Sequence, residues 1–278
     1  MATGNITQTS AAKLLPELWA AQPEYVPNNV RGFTKSIWDT GETYFGPGFK
    51  VNIPIVAAYA ASAYSGTVTF NNFTETEVEL TPTVAYNAIQ IQEDVLQTVM
   101  SPGAERIYSP ALAEGLYQKP DIDGLILVAA LTNSVTDAGA WTLASFQSII
   151  STILTQGGDK VQLGQLDGWY HPQLWDTIMS VADITSASVR GESNSSAKTG
   201  NVGLAYGVNM NFSANVHLST TLRNAIVSRK TFVLVRKNRP KIEMERTDLT
   251  TKIIASMMYA IAALHGASGG QHRVTTTT

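Results

Sequence analysis

From residue 49 to 55 and again from 67 to 80 the chain alternates apolar and polar side chains. Val51, Ile53 and Ile55 interleave with Lys50, Asn52 and Pro54, and Val78 and Leu80 interleave with Glu77 and Glu79. A period of two marks strands. Residues 57–66 between them are small and flexible, and Asn71-Asn72 adds a second break, so the spacing predicts a long two-stranded projection rather than a tight hairpin. An isolated ribbon is marginal in water because nothing covers its apolar face. It therefore has to lie on a second surface. A third strand is expected from Thr83 to Gln92, alternating weakly at Val84, Tyr86 and Ala88, with a short helical turn after Gln92-Glu93-Asp94.

Ahead of the ribbon, periodicity is poor. Leu14, Leu15, Leu18 and Trp19 form a short amphipathic run among Pro16, Pro23 and Pro27, which predicts an extended arm. Trp19, Tyr25, Phe33, Trp38, Tyr44 and Phe45 are spread through it. So many aromatics in such a segment imply docking, either onto another surface or back onto the chain's own core.

Behind the ribbon the period changes. Ser109-Pro110 has the chemistry of a helix start, since serine can accept an orphan N–H and proline at the first position forfeits no bond. Tyr108, Ala111, Leu112, Gly115 and Leu116 then share one stripe, and the spacing repeats in Ile122, Leu125, Ile126, Ala129 and Ala130. Pro120 should kink or split this helix, with Asp121 capping a second one if it splits. Leu143, Phe146, Ile149, Ile150, Ile153 and Leu154 predict another helix, ended by Gly157-Gly158, and a short one should begin at Pro172. Residues 190–200, RGESNSSAKTG, read as a mobile loop. Two glycine-punctuated apolar strings follow at 202–208 and 210–216. Strand signals return at 231–236, a turn is expected at Asn238-Arg239-Pro240, Ile242 and Met244 alternate with Glu243 and Glu245, and an apolar run covers 253–264. Gly269-Gly270 and four threonines close the chain.

With 278 residues, 44% apolar and 15% charged, the chain can bury a core of one elaborated domain, or of two that share chain crossings. Zero cysteines exclude disulfides, thiolate metal sites and a cysteine nucleophile, so stability has to come from packing and association. The first residues lack the basic start and apolar run of a signal peptide, and no stretch approaches the ~20 apolar residues of a membrane span. A cytoplasmic product without membrane contact is expected. The Asn-X-Ser/Thr triplets at Asn5, Asn72, Asn194 and Asn211 carry no weight without a secretion signal.

Candidate chemistry is thin. His171, His217, His265 and His272 have no paired-ligand spacing and read as structural or surface residues. Asp121 and Asp123 point to different sides of a helix, as a cap and a solvated face. No glycine run has the dinucleotide or P-loop form, and no Gly-X-Ser-X-Gly elbow is present. No catalytic, metal or cofactor site is expected.

One charge feature stands out. Arg229, Lys230, Arg236, Lys237, Arg239, Lys241 and Arg246 place seven of nineteen basic residues between positions 229 and 246. They form either a solvated strand edge guarded against aggregation or, for Arg236, Lys237 and Arg239, a loop that pairs with Glu75, Glu77 and Glu79 of another copy. Each exposed pair contributes only ~0–1 kcal/mol, but a repeating assembly multiplies it. With a net charge of −3, contact with nucleic acid would be local and nonspecific.

Five phrases in order carry a resemblance: SPALAEGLYQKPDIDGLILVAAL, DGWYHPQLWDTIM, GLAYGVNMNFSANVHLS, RKTFVLVRKNRPKIEMERTD and KIIASMMYAIAAL. From about residue 13 to 264 the chain resembles the major capsid proteins of tailed bacteriophages with the HK97 fold, podovirus-like coat proteins in particular. The resemblance implies an α+β fold with an N-terminal arm at 1–45, an extended β-hairpin E-loop at 46–82, a peripheral domain with the spine helix at 83–137, an axial domain at 138–228, and peripheral return strands with a C-terminal tail at 229–278. Pro120 departs from the usual uninterrupted spine.

It further implies a non-enzymatic protein that self-assembles into hexamers and pentamers of an icosahedral shell, in the virion, after assembly in the host cytoplasm. The implied partners are other copies, a separate scaffolding protein, a portal protein and packaged double-stranded DNA. Trp19 and Trp38 join Arg236, Lys237, Arg239, Glu75, Glu77 and Glu79 as candidates for contacts between copies. No pattern supports autocatalytic cross-linking. An encapsulin-like compartment shell is the nearest alternative, and an α+β enzyme a distant one.

Overall fold

The computed structural model describes residues 32–41, 43, 48, 50–56, 75–92, 104–158, 161–181, 184, 203–216, 221–238, 240–247 and 250–275. The helical turn expected after Asp94, the loop at 190–200, Trp19 and Arg239 lie outside these residues.

The fold is α+β. A 3-10 turn, Phe33–Lys35, precedes β1 (Trp38–Asp39), β2 (Val51–Val56), β3 (Glu75–Leu80), β4 (Thr83–Gln92) and α1 (Ala104–Leu127). Then come β5 (Asn133–Ala138), α2 (Leu143–Gly157), β6 (Leu166–Tyr170), α3 (Trp175–Met179), β7 (Leu204–Ala205), β8 (Val208–Phe212) and β9 (Thr221–Ser228). β10 (Phe232–Arg236), β11 (Lys241–Thr247), β12 (Thr250–Ala263) and β13 (Gly269–Thr275) complete it. The chain divides into two compact units, one containing residues 85–117 and 240–257, the other 29–84, 118–239 and 258–278.

In the first unit β11 and the opening half of β12 form an antiparallel hairpin, in register from Lys241 opposite Ser256 to Thr247 opposite Thr250. Ile253, Ala255 and Met257 turn inward while β11 exposes Lys241, Ile242, Glu243 and Glu245. Leu112 and Leu116 supply buried helix positions.

The second unit is built on a six-stranded sheet of order β5-β13-β9-β6-β8-β7. Its core gathers Phe146, Ile149 and Ile153 of α2 with Leu166, Tyr170, Val208, Leu222, Ile226 and Val274 of the strands. α2 matches its predicted stripe. Thr142 caps it by accepting the Ser145 N–H at 3.3 Å, and Gly158 takes a φ of 55° at its end, where side chains other than glycine are strained.

Residues 269–275, passed over in the sequence as a glycine-led tail, form an interior strand. β13 runs parallel to β5 and antiparallel to β9. Its glycines have a packing reason: a Cβ on Gly270 would sit 2.8 Å from Ile149 Cδ1, so only a bare backbone lets α2 lie this close.

The ribbon exists as β2 and β3, paired from Val51 opposite Leu80 to Val56 opposite Glu75. Its need for cover is met at the base by the same chain, where Val51, Ile53 and Leu80 cluster with Val233 and Val235 of β10. β10 in turn pairs with β1 and with the second half of β12.

The long helix corrects the expected start, the expected split at Pro120 and the two readings that depended on that split. It starts at Ala104, so Ser109-Pro110 lies inside it; Ala104, Glu105 and Arg106 are strong helix formers that extend it backward. It runs unbroken through Pro120 to Leu127. With no restart, the buried positions continue as Leu112, Leu116, Pro120, Asp121, Gly124 and Leu125, and Ile126 is left 51% exposed instead of facing the core. Asp121 caps no helix. Only 2% exposed, its carboxylate accepts the Gly32 N–H at 3.0 Å and the Thr34 N–H at 2.8 Å, clamping the 3-10 turn. Phe33 fills the space left by Gly124, where a Cβ would come within 2.5 Å of its ring, and meets Trp169 edge-on at 6.1 Å. At least this part of the arm folds back onto its own unit.

Asp121→Ala strands two inward N–H groups and should lower unfolding free energy by about 3 kcal/mol. Urea denaturation checks it; an unchanged midpoint would contradict the clamp.

Candidate functional site

The basic cluster begins at the end of β10, where backbone bonding fixes it. Lys237 donates its N–H to the Met258 carbonyl at 2.8 Å, and Asn238 Oδ1 accepts the Met258 N–H at 2.6 Å, so the turn is tied back to β12. Arg236 is not a free loop cation. Its guanidinium lies 2.7 Å from the Asp39 carboxylate, which links β10 to β1. Trp38, beside Asp39, is 36% exposed and opposes Val233 through its backbone. Arg229 and Lys230 are exposed in the turn between β9 and β10.

The acidic candidates lie along β3. Glu79 meets Lys50 at 2.5 Å, and Glu77 accepts from the Asn52 side-chain amide at 3.1 Å. Only the backbone of Glu75, opposite Val56, is described. The Glu77 and Glu79 carboxylates point outward because Val78 and Leu80 point to the core, the pleat of a half-covered strand. Lys50 and Asp39, the partners in the same chain, were missed in the sequence because register, unlike alternation, cannot be read from spacing alone.

The alternating face of β4 behaves unexpectedly. Val84 is 61% and Tyr86 73% exposed, while Ala85, Asn87 and Ile89 are half-buried. Apolar side chains that follow the strand period thus face outward.

The most buried polar array lies in the second unit. His272 is fully buried and Asp137 6% exposed, with His272 Nε2 2.8 Å from the Asp137 carboxylate and Nδ1 3.4 Å from the Tyr170 hydroxyl. Asp137 also accepts the Thr142 N–H at 2.8 Å and the Thr142 hydroxyl at 3.0 Å, and the Ser145 hydroxyl bonds to it. Burial lowers the His272 pKa against the opposing pull of Asp137, so the imidazole is neutral. Nε2–H then donates to the carboxylate and Nδ1 accepts the tyrosine proton. Burial opposes ionisation of Asp137, but these hydrogen bonds outweigh it and hold its carboxyl below the usual value. Burial holds the Tyr170 phenol far above its ordinary range. With all three groups enclosed, the array joins β5, β13, β6 and the start of α2 and offers no approach for a substrate.

His171 is a cap: its Nδ1 accepts the Gln173 N–H at 3.3 Å beneath Pro172. Asp123 accepts from the Tyr259 hydroxyl at 2.6 Å and pairs with Lys119. Among the described residues no group of three or more His, Cys, Asp or Glu is placed to hold a metal, and no helix is long and apolar enough to cross a membrane. An open cleft of about 500 Å³ is lined by Lys35, Asp167, Asn209 and Asn211, but Asp167 is already bonded to the Asn209 amide at 3.1 Å. Among the described residues the surface presents an acidic ribbon, a tethered basic turn and outward apolar side chains.

No protein-family model matches the sequence, and no curated protein matches it. Solved structures do. A chain from Mycobacterium phage Che8 superposes with a TM-score of 0.75 at 16% identity, over 93% of this chain and 96% of that one. A chain from the capsid of Cyanophage P-SCSP1u gives 0.74 at 13% identity, over 98% and 97%. One from the mature capsid of bacteriophage PhiM1 gives 0.72 at 11%, over 94% and 92%. The chain has the fold of these phage proteins.

Acid should destabilise the second unit in two windows. Because the folded His272 pKa lies below its ordinary 6.5, the unfolded chain takes up that proton first, and stability falls as pH drops below about 6.5. His171, also lowered by burial, adds to this window. Asp137, lowered from 3.8, gives a second loss below about pH 4. Thermal melts across pH should show both, and His272→Gln should shrink the upper one. A flat profile from pH 7.5 to 5.5 would contradict the neutral buried imidazole.

Proposed function

We propose that the chain is a major capsid protein that self-assembles into the icosahedral shell of a tailed phage. The observation that carries this reading is the end-to-end match: more than nine-tenths of this chain and of each compared chain superpose, including two from phage capsids. A shell subunit works through its surfaces, and the surface features described above suit that role.

On this reading the fold is HK97-like. The β2–β3 ribbon is the base of the E-loop, α1 the spine helix, the six-stranded sheet with α2 the axial domain, which then takes in β5 and β13 beyond the 138–228 expected from the sequence, and β10–β12 are peripheral strands. The protein is structural, resides in the virion and is put together in the host cytoplasm. Scaffolding protein, portal protein and packaged double-stranded DNA are its further partners, the last held by nonspecific contact, as the net charge of −3 requires.

Contacts between copies are assigned to Lys237, Arg239, Glu75, Glu77, Trp19 and Trp38. Arg236 and Glu79 already have ion partners in their own chain, so they shape the two surfaces and contribute less directly. Apolar burial between copies adds ~25 cal/mol per Å² before association costs.

Negative-stain electron microscopy of the expressed chain with its scaffolding protein should show shells tens of nanometres wide. Nuclease-protected DNA in native particles would distinguish a virus shell from a protein-cargo compartment. Arg239→Glu should fold normally and give few closed shells; normal shell yield from this variant would remove Arg239 from the interface.

A further inference from the structure

Three exposed apolar side chains meet at one end of the second unit, where nothing described so far uses them. Leu163 is 57% exposed, Leu204 46% and Tyr206 43%. Leu163 precedes β6, Leu204 is in β7 and Tyr206 in the turn after it, and the backbone holds the two segments together: Gly164 donates its N–H to the Gly207 carbonyl at 2.7 Å, and a Cβ on Gly207 would come 2.9 Å from Leu163 Cβ and Cδ2. Gln162 and Gln165, both exposed and bonded to each other at 3.2 Å, give the group a polar margin.

The turn that presents Tyr206 is itself unusual. Tyr206 and Gly207 are the two-residue link between β7 and β8, with φ of 50° and 79°. Two positive φ values are what a type I′ hairpin turn demands, and Asn, Asp or Gly normally fills its first position. Tyr206 is the one non-glycine residue with positive φ among those described. Its ring leans edge-on against Phe146 at 6.3 Å yet remains substantially exposed. A residue suited to the turn would relax the backbone, so the aromatic ring is kept there against local preference.

We propose that Leu163, Leu204 and Tyr206 form a contact patch that a second copy of this chain covers on assembly, an inference that rests on the shell-forming reading. Area decides the occupant. Three partly exposed side chains offer at most a few hundred Å², far below the ~1,600 Å² that holds a freely diffusing partner. A neighbour already anchored through other contacts needs only such an increment. The apolar centre with its glutamine margin has the layout of an interface core and rim.

The test compares wild type with Tyr206→Asn, Leu163→Ser and Leu204→Ser, reading assembly by light scattering against subunit concentration and folding by thermal melt. Tyr206→Asn should keep or raise the melting temperature, since asparagine suits the turn. Each variant should raise the concentration needed for assembly about tenfold, the effect of losing one buried apolar side chain at a repeated contact. Folded variants that assemble at the wild-type concentration overturn the patch while leaving the shell reading intact. Wild type that fails to assemble with its scaffolding protein overturns the shell reading, and the patch with it. Should Tyr206→Asn melt early, the ring is a core element rather than a contact, and Leu163→Ser, at the most exposed position, decides the rest.

Discussion

Insertion of residues 269–275 between β5 and β9 is the constraint on which the larger unit depends. A sheet of order β5-β13-β9-β6-β8-β7 has no continuous interior until β13 is in place. The strand that closes it also brings His272 to Asp137 and clears the surface on which α2 lies, through Gly270 against Ile149. Pairings between residues more than a hundred positions apart, such as Gly270 with Asn133, carry a loop-closure entropy that the burial of the finished sheet has to offset. The buried hydrogen-bond array then fixes the sheet in one arrangement, since a displaced strand would leave a carboxylate and an imidazole without partners in the core.

The rest of the larger unit is organised around a second anchor. Asp121 and Gly124, three residues apart on α1, receive the 3-10 turn through its N–H groups and through Phe33. β1 follows directly and places Asp39 against Arg236, which spends one of the concentrated cations on internal structure. The ribbon base is likewise closed over β10. What remains outward is selective: the acidic edge of β3, the basic turn after β10, the apolar face of β4 and the patch around Tyr206. Tyr86 remains 73% exposed.

Much of this was legible in the sequence wherever one face of an element is buried. The strands at β2, β3 and β4, the helix over Leu143–Gly157 with its glycine stop, and the short helix at Pro172 follow from periodicity and capping chemistry. Misreadings arose where a local signal lost to a stronger neighbouring propensity or to tertiary contact. Ser109-Pro110 looked like a start but sits inside α1, Pro120 is accommodated without a break, and Asp121 serves a backbone 87 residues away instead of its own helix. Gly269-Gly270 read as a tail because glycine is a weak strand former; its place in the sheet is set by helix packing. Of the candidate contact residues, the exposure of Glu77 and Glu79 follows from alternation, whereas the pairing of Arg236 with Asp39 needed a register that spacing does not supply.

The central claim is that subunits of this fold complete their surfaces by covering one another. Sedimentation velocity of the full chain over a range of concentrations tests it most directly. The account predicts that above a threshold nearly all added protein enters one fast-sedimenting closed species. A single slow boundary at monomer size across the whole range would contradict it.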